Sequence, residues 1–427
     1  MHWNPELYDT VALYTADPTV DTSKVNDTLE LRPVLQLRSG SADFYTGYYE
    51  TSWSIGTPKF PGGWEKNSTE EKMTGERCLP FWIVGLRGGT PVDIRCLLIN
   101  PTWMDDHKIA LERLNLTSLF IPGTHNSGCF RSRTNKPGSR RDSTSRYLLT
   151  QDQDIWNQLV YGIRYLDFRV GIYPIRRSNG SHDLDDDSNF WINHDLIKVR
   201  PLVPALKDVR KFLEASKGEI IILDFHRFPV GFSGRHHRHH SLVKILQREL
   251  GEFAFPYQNE FPLLEDIWSS GKNLIISYGD DVTIGEYDWL WPPIKQMWGN
   301  KQTPPELFDY LDECMEGAKF NSSHPGLWAA MAQLTPSPFD LLFKPDFSLR
   351  DLTHQVSRSL TEWCERLWWE KANIVATDFF LENNIINLAI AANVKKAGYE
   401  FTCAEIEGSG LNGEGVDLAE SGFILES

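Results

Sequence analysis

Along residues 8 to 105, apolar and polar positions alternate with a period of two. Leu29, Leu31, Leu35 and Leu37 stand between polar or proline positions, and the run FWIVGLRGGTPVDIRCLLI, Phe81 to Ile99, reads as two strands turning at Gly88-Gly89-Thr90-Pro91. Successive side chains of a strand point to opposite faces, so this alternation predicts paired, half-buried strands. Residues 1–105 are expected to form a small antiparallel, β-sandwich-like domain, with Cys78 and Cys96 on opposite arms of the hairpin as candidates for a disulfide. From PTWMDDHKIALERL onward the pattern changes: short apolar runs alternate with stretches of helical spacing, the order of βα units around a parallel sheet. The runs are Leu119 to Pro122, Arg164 to Val170, Phe190 to His194, Glu219 to Phe225, Asn273 to Tyr278, Leu327 to Gln333 and Asn373 to Thr377. Helices are predicted in SRYLLTQDQDIWNQLVYG, LVPALKDVRKFLEASKG, SLVKILQRELG, PELFDYLDECME and SRSLTEWCERLWWEKA. No GxGxxG follows the first run, which favours an irregular TIM (β/α) barrel over an open doubly wound sheet. The barrel is expected over residues 106–398, and residues 399–427, rich in glycine and acid and free of lysine and arginine, read as a flexible tail.

Composition narrows the classes of function. A formal charge of -15 over 427 residues argues against a nucleic-acid partner, because phosphate affinity rests on clustered positive charge. No apolar run of about 18 residues is present to span a bilayer, and the N-terminus lacks the charged start and apolar core of a leader. Either a cytoplasmic protein or a secreted one without its leader fits. The six cysteines are scattered without a CxxC, so a thiolate zinc site is not expected. Five Asn-x-Ser/Thr sequons, at Asn26, Asn67, Asn115, Asn179 and Asn321, suit a secreted glycoprotein, but composition alone yields about three, which leaves the compartment open.

In a barrel, reacting groups gather at the C-terminal ends of the strands, where the loops share one mouth. Those ends carry His125 and Asn126, then Asp167 and Arg169, then His194 and Asp195. Asp224, His226 and Arg227 follow, then Tyr278, Asp280 and Asp281, then Gln333, then Asp378. Such a set suits acid–base chemistry on a phosphate ester: one imidazole removes a proton, another supplies one, and a guanidinium offsets charge on the phosphoryl oxygens.

The ordered blocks FIPGTHNSG, GIRYLDFRVG, FWINHDLIKV, GEIIILDFHRF, NLIISYGD and NIVATDFF resemble the X domain of phosphatidylinositol-specific phospholipase C, in its single-X-domain branch, over about residues 110 to 395. The resemblance implies an irregular TIM barrel, a phosphoric diester hydrolase that acts on a phosphoinositide-type headgroup at a membrane surface, and no cofactor. By motif, it makes His125 the general base for the inositol 2-hydroxyl and His194 the general acid for the departing diacylglycerol oxygen. Arg169 matches the arginine that bacterial members use in place of a metal. Asp167 is implied to orient His194 or that arginine, and Asp378 to orient His125. Asn126, His226, Tyr278 and Gln333 are expected to line the substrate pocket. The product implied is a cyclic inositol phosphate, which water then opens. Calcium-dependent members place oxygen ligands at four positions; here Asn126 and Asp167 keep two, while Arg169 and His226 replace the others, so metal independence is expected. Bacterial members carry an aspartate where Asn126 stands, so orientation of the second histidine is weaker or borrowed from elsewhere.

Other readings stay open at this point. A catalytically weak or inactive lipid- or protein-binding barrel is one. A metal-dependent enzyme of the glycerophosphodiesterase or sphingomyelinase D kind is another, against which the arginine of LDFR argues. RHHRHH, Arg235 to His240, reads as a solvated, pH-sensitive rim loop rather than a metal site, since adjacent histidines in a loop point apart. DLDDD, Asp183 to Asp187, lacks the glycine and terminal glutamate of a calcium loop and reads as a solvated insertion. The His182-Asp183 and His194-Asp195 pairs suggest metal phosphohydrolases, but His194 follows a predicted strand. Rim aromatics, from a pool of 15 Trp and 23 Phe, are available to touch a membrane.

Overall fold

The computed structural model describes residues 2–19, 32–47, 49, 51, 59–66, 75–130, 146–174, 186–320, 326–344, 347–408 and 423–424. The chain divides into two compact units, Met1–Asn100 with Ser409–Ser427, and Pro101–Gly408.

In the first unit, strands β1 (Thr10–Tyr14), β2 (Leu35–Arg38), β3 (Cys78–Arg87) and β4 (Thr90–Leu98) form an antiparallel sheet in the order β2-β1-β3-β4. The β3–β4 hairpin turns on Gly88 and Gly89, whose φ values of 60° and 78° are the left-handed pair that a tight hairpin needs. Cys78 and Cys96 are disulfide-bonded across it. Val11, Leu13, Leu37, Phe44 and Ile83 close one face of this sheet. A two-residue ladder between His2–Trp3 and Phe423–Ile424 accompanies it, and Trp3 packs into the same core. Leu29 and Leu31 lie outside them.

The second unit is built on β5 (Ile121–Thr124), β6 (Tyr165–Ile172), β9 (Ile221–Val230), β10 (Leu274–Tyr278), β11 (Lys295–Met297), β12 (Trp328–Met331) and β13 (Ile374–Thr377). These are parallel and curl in the order β10-β9-β6-β5-β13-β12-β11. Between β10 and β11, closure comes from the segment just before β11: Trp291 N donates to Ile276 O (2.8 Å) and Tyr278 N to Trp291 O (3.1 Å). This is an irregular TIM barrel. Around it run α1 (Ile155–Tyr161), α2 (Leu202–Ala215), α3 (His236–Leu250), α4 (Asp281–Glu286), α5 (Pro304–Phe320), α6 (Pro338–Phe343), α7 (Leu349–Trp363) and α8 (Ile385–Gly408).

Alternate residues of each strand face the barrel interior. Ile121, Tyr165, Ile222, Ile275, Ala329, Met331, Ile374 and Ala376 pack together there. Gly123 is the small member of this set: a Cβ on it would stand 2.7 Å from the Tyr165 ring. At the N-terminal end of the strands, Arg164 and Glu219 form a fully buried pair at 2.6 Å. Glu219 also accepts from the Met104 and Asp105 amides, and Arg164 donates to the carbonyls of Leu159, Ile163 and Pro101. The hydrogen-bonding capacity of both ions is therefore largely met, as burial of charge demands.

Several expectations need correction. The run Phe190–His194 (β7) is not a parallel barrel strand; with Ile197–Pro201 (β8) it forms a hairpin that extends antiparallel from β6. Its apolar alternation fits either arrangement. The strand that completes the parallel set is β11, too short and too close to Pro292-Pro293 to show as a run. RHHRHH is no loop: His236 to His240 open α3. The last helix continues to Gly408, into residues expected to be tail. His182, Asp183 and the sequons at Asn26, Asn67, Asn179 and Asn321 lie outside the described residues. Asn115 has its amide bonded to Phe261 O at 2.6 Å and half-buried. Asp187 pairs with Arg248 at 2.7 Å. Among the described residues no helix is long and apolar enough to cross a membrane.

Candidate active site

Two steps along the inward-facing positions from the apolar layer come the polar ones: His125 beyond β5, Asp167 and Arg169 on β6, Asp224 and His226 on β9, Ser277 on β10, Gln333 beyond β12 and Asp378 beyond β13. The period of two that packs the core thus also delivers the chemistry to the mouth.

His125 sits at the centre. Its Nδ1 is 2.8 Å from Asp378 Oδ1, in a pair whose side chains are 10% and 4% exposed. With Nδ1–H donating to that carboxylate, Nε2 presents a lone pair. Arg169 Nη2 lies 3.3 Å from this nitrogen and Asn126 Nδ2 3.0 Å. Asn126 has φ 42°, a left-handed turn that asparagine tolerates better than most residues. Its amide N–H donates to Asp167 Oδ2 at 2.9 Å, and Gln151 Nε2 ties the carbonyls of His125 and Thr377 together at 3.1 and 2.8 Å. The His125 ring is therefore held on both sides.

The His194 ring stands edge-on to that of His125, with centroids 6.5 Å apart and planes at 87°. Its Nδ1 meets Leu148 O at 2.8 Å, so Nδ1 donates and Nε2 is the nitrogen left for chemistry. Burial pushes the ring's pKa below the ordinary histidine value, against the pull of the Leu148 carbonyl. Arg169 bonds Asp195 at 2.9 Å through Nη1.

Asp167 does not orient His194, whose partner is the Leu148 carbonyl; it bonds the Asn126 amide and, through Oδ1, Gln296 Nε2 at 3.2 Å. Burial alone would raise its pKa, but Arg169, His125 and His226 hold it below the usual carboxylate range. Beneath it, Asp224 pairs in register with Asp167 on the neighbouring strand. Burial first, and the charge of Asp167 second, push the Asp224 carboxyl up to about 7. Burial pushes His226 down to about 4. Tyr278 does not line the mouth. It has the opposite parity to Ser277, and its hydroxyl bonds His239 Nδ1 at 2.8 Å among Phe228 and Phe232 on the helical side of the sheet. Gln296 Nε2 stands within hydrogen-bond distance of Tyr165 Oη, Asp167 Oδ1 and Asp224 Oδ2, on a strand that has no sequence pattern to point to it.

Asn126 Oδ1, Arg169 Nε and Gln333 Oε1 are buried without a partner among the described residues. They offer hydrogen-bonding capacity to a polar ligand. The donor set does not fit a calcium ion: a guanidinium occupies the position beside His125 Nε2, and of the four ligand positions expected for calcium only Asn126 and Asp167 offer oxygen.

No family model matches the chain. Among curated proteins it is 27% identical over 324 residues to PI-PLC X domain-containing protein 1 of Homo sapiens, covering 71% of this chain and 95% of that one. It is 24% identical over 315 residues to the human PI-PLC X domain-containing protein 3, covering 68% and 92%. The variant-surface-glycoprotein phospholipase C of Trypanosoma brucei brucei is 27% identical over 238 residues, covering 50% and 63%. A solved structure of the phosphatidylinositol-specific phospholipase C of Staphylococcus aureus superposes with a TM-score of 0.51 at 15% identity, covering 69% of this chain and 97% of that one. In sequence the chain is similar to the PI-PLC X domain-containing proteins, and its barrel has the fold of the phosphatidylinositol-specific phospholipase C of Staphylococcus aureus.

Proposed function

We propose that the protein cleaves a phosphoinositide-type headgroup ester by metal-independent acid–base catalysis. The observation that carries this reading is the convergence on His125: Asp378 on one nitrogen, Arg169 on the other, and His194 edge-on beside it. His125 Nε2 takes the proton of the headgroup 2-hydroxyl, and the freed oxygen attacks phosphorus. Arg169 offsets the charge that grows on the phosphoryl oxygens. His194 Nε2–H gives its proton to the departing diacylglycerol oxygen. The P–O bond to diacylglycerol breaks as the one to the ring oxygen forms, leaving a cyclic phosphate. Water then opens the cyclic ester with the two histidines exchanging roles. Asp167, Asn126, His226 and Gln333 are assigned to holding the headgroup and the arginine.

A membrane surface as the place of reaction is supported by the loops of the mouth. Leu196 and Ile197, which follow His194-Asp195, are 72% and 47% exposed. Val282 beyond β10, Trp298 beyond β11, and Phe339 and Phe343 on α6 are exposed as well. Apolar side chains spaced around a polar mouth suit contact with a lipid interface.

The test is turnover of phosphatidylinositol vesicles by the purified full chain, with and without EDTA, at a temperature well below unfolding. Turnover insensitive to EDTA is expected, and His125→Ala and His194→Ala are each expected to lose at least about 10²-fold. Undiminished activity in either variant overturns the assigned roles. Activity abolished by EDTA points to the metal-dependent alternative, and an inert wild-type chain points to a binding barrel.

A further inference from the structure

The histidine-rich stretch at the start of α3 lies outside the chemistry just described. Because it is helical, its side chains sort by helical spacing: positions four apart lie side by side, and their immediate neighbours face elsewhere. His239 turns inward and is buried against Tyr278, Phe228 and Phe232. His237 points to solvent. His236 and His240 form one face, with ring centroids 4.5 Å apart.

Both of those rings aim the same nitrogen at one oxygen. His236 Nε2 is 3.0 Å and His240 Nε2 3.4 Å from Glu286 Oε2, at the C-terminal end of α4. One ligand atom from each of His236, His240 and Glu286 lies within 4.8 Å of the others. Ligand atoms on a tetrahedral zinc ion, bound at about 2.0–2.1 Å, stand about 3.4 Å apart, so the set is spaced for such an ion. The remaining nitrogens face oxygens. His240 Nδ1 meets the Tyr287 hydroxyl at 2.7 Å, and His236 Nδ1 faces Asp280 Oδ2 at 4.0 Å. A hydrogen-bonded oxygen behind the imidazole, as at His240, is what fixes the tautomer of a metal-bound histidine, whereas Asp280 is too far from His236 for a direct bond. The side chains are 36%, 36% and 43% exposed, so an ion has access from solvent.

We infer that His236, His240 and Glu286 form a binding site for a divalent transition metal of the zinc class, with three protein ligands and a fourth position open to water. Two imidazoles and one carboxylate select such an ion over calcium or magnesium, which prefer all-oxygen shells. The site ties the first turn of α3 to the end of α4, the short helix that leaves β10 at the mouth and carries the exposed Val282. The bound ion would fix that part of the rim in place. Its binding does not depend on the proposed hydrolysis.

The experiment uses the full chain, stripped with a chelator and desalted, then titrated with Co²⁺ and followed by the visible d–d absorption of the bound ion, with Zn²⁺ as competitor. Saturation at one ion per chain is expected, together with a rise in Tm on adding Zn²⁺. His240→Ala and the near-isosteric Glu286→Gln are each expected to weaken binding by at least about 10-fold. His237→Ala, in the same run of histidines, is expected to bind as the wild type does. Absence of saturable binding overturns the site, as does Glu286→Gln binding like the wild type. Equal loss in His237→Ala and His240→Ala also overturns it, since that is the behaviour of an unstructured histidine run.

Discussion

Replacing Asp224 by asparagine should change how stability depends on pH more than it changes the fold. The carboxyl is fully buried, and its pKa is pushed up to about 7, by burial first and by the charge of Asp167 second. Its Oδ2 accepts from Tyr165 Oη at 2.7 Å and Gln296 Nε2 at 3.1 Å, and its Oδ1 lies 3.1 Å from Ser277 Oγ. That hydroxyl is also 3.0 Å from the Pro292 carbonyl. A protonated Asp224 can therefore donate from Oδ1 to Ser277 while Ser277 donates to Pro292, and an asparagine Nδ2 makes the same bond. The sign follows from the unfolded chain, where an aspartate releases its proton near an ordinary value of about 3.9. Between about pH 4 and pH 7 the folded state holds a proton that the unfolded state has lost, so the wild type loses stability as pH rises through that window. Three units correspond to about 4 kcal/mol, of which about 3 kcal/mol falls between about pH 5 and pH 8. The asparagine side chain does not titrate, so urea unfolding of the two proteins across this range should show the Asp224→Asn variant gaining on the wild type by about 3 kcal/mol. A stability difference that stays constant with pH would refute a proton on Asp224.

Three further outcomes are expected. Asp378→Asn removes the charge that steadies His125 as it takes up a proton; losing a charge-assisted bond of about 1.5–3 kcal/mol should lower kcat by about 10- to 100-fold with KM within a few-fold, measured on phosphatidylinositol vesicles. The kcat/KM profile should fall as pH rises past a value below the ordinary histidine pKa of about 6.5, because His194 must be protonated to act as the acid and burial lowers its pKa; His194→Ala should abolish that limb. Arg164→Met strands the Glu219 carboxylate inside the protein and should cost about 3–5 kcal/mol in urea unfolding, whereas replacing both partners with apolar residues should cost less.

Much of the barrel can be read from the chain because buried strands are written as apolar runs, and six of the seven parallel strands among the described residues overlap such runs. The misreadings have physical causes. An apolar run states that a segment is buried, not which way it pairs, so Phe190–His194 read as a barrel strand when it is one arm of an antiparallel hairpin. Polar or proline-flanked segments hide: β11 carries Gln296, whose amide joins Asp167 and Asp224, yet Lys295-Gln296-Met297 has no pattern of its own. RHHRHH resembles a loop in composition, and only its continuation into Ser241–Leu250 as one helix aligns His236 with His240. Tyr278 ends its strand as the apolar run implies, but the inward residue there is its neighbour Ser277.

The two histidines of the mouth are held by unlike partners, and the difference suits the roles assigned to them. His125 faces a carboxylate, which steadies the charged ring that forms when this residue accepts a proton. His194 faces the Leu148 carbonyl, which fixes the tautomer through the same kind of hydrogen bond but brings no full negative charge to retain the proton. Buried and beside Arg169, His194 gives its proton up more readily than an exposed histidine does. Under the proposed roles, a base backed by an anion and an acid backed by a neutral dipole favour the first step, with protons passing from hydroxyl to His125 and from His194 to the leaving oxygen. Asn126, where bacterial members carry an aspartate, fits this division. An aspartate would place a second negative charge beside His125 Nε2, where the asparagine amide and the Arg169 guanidinium now stand.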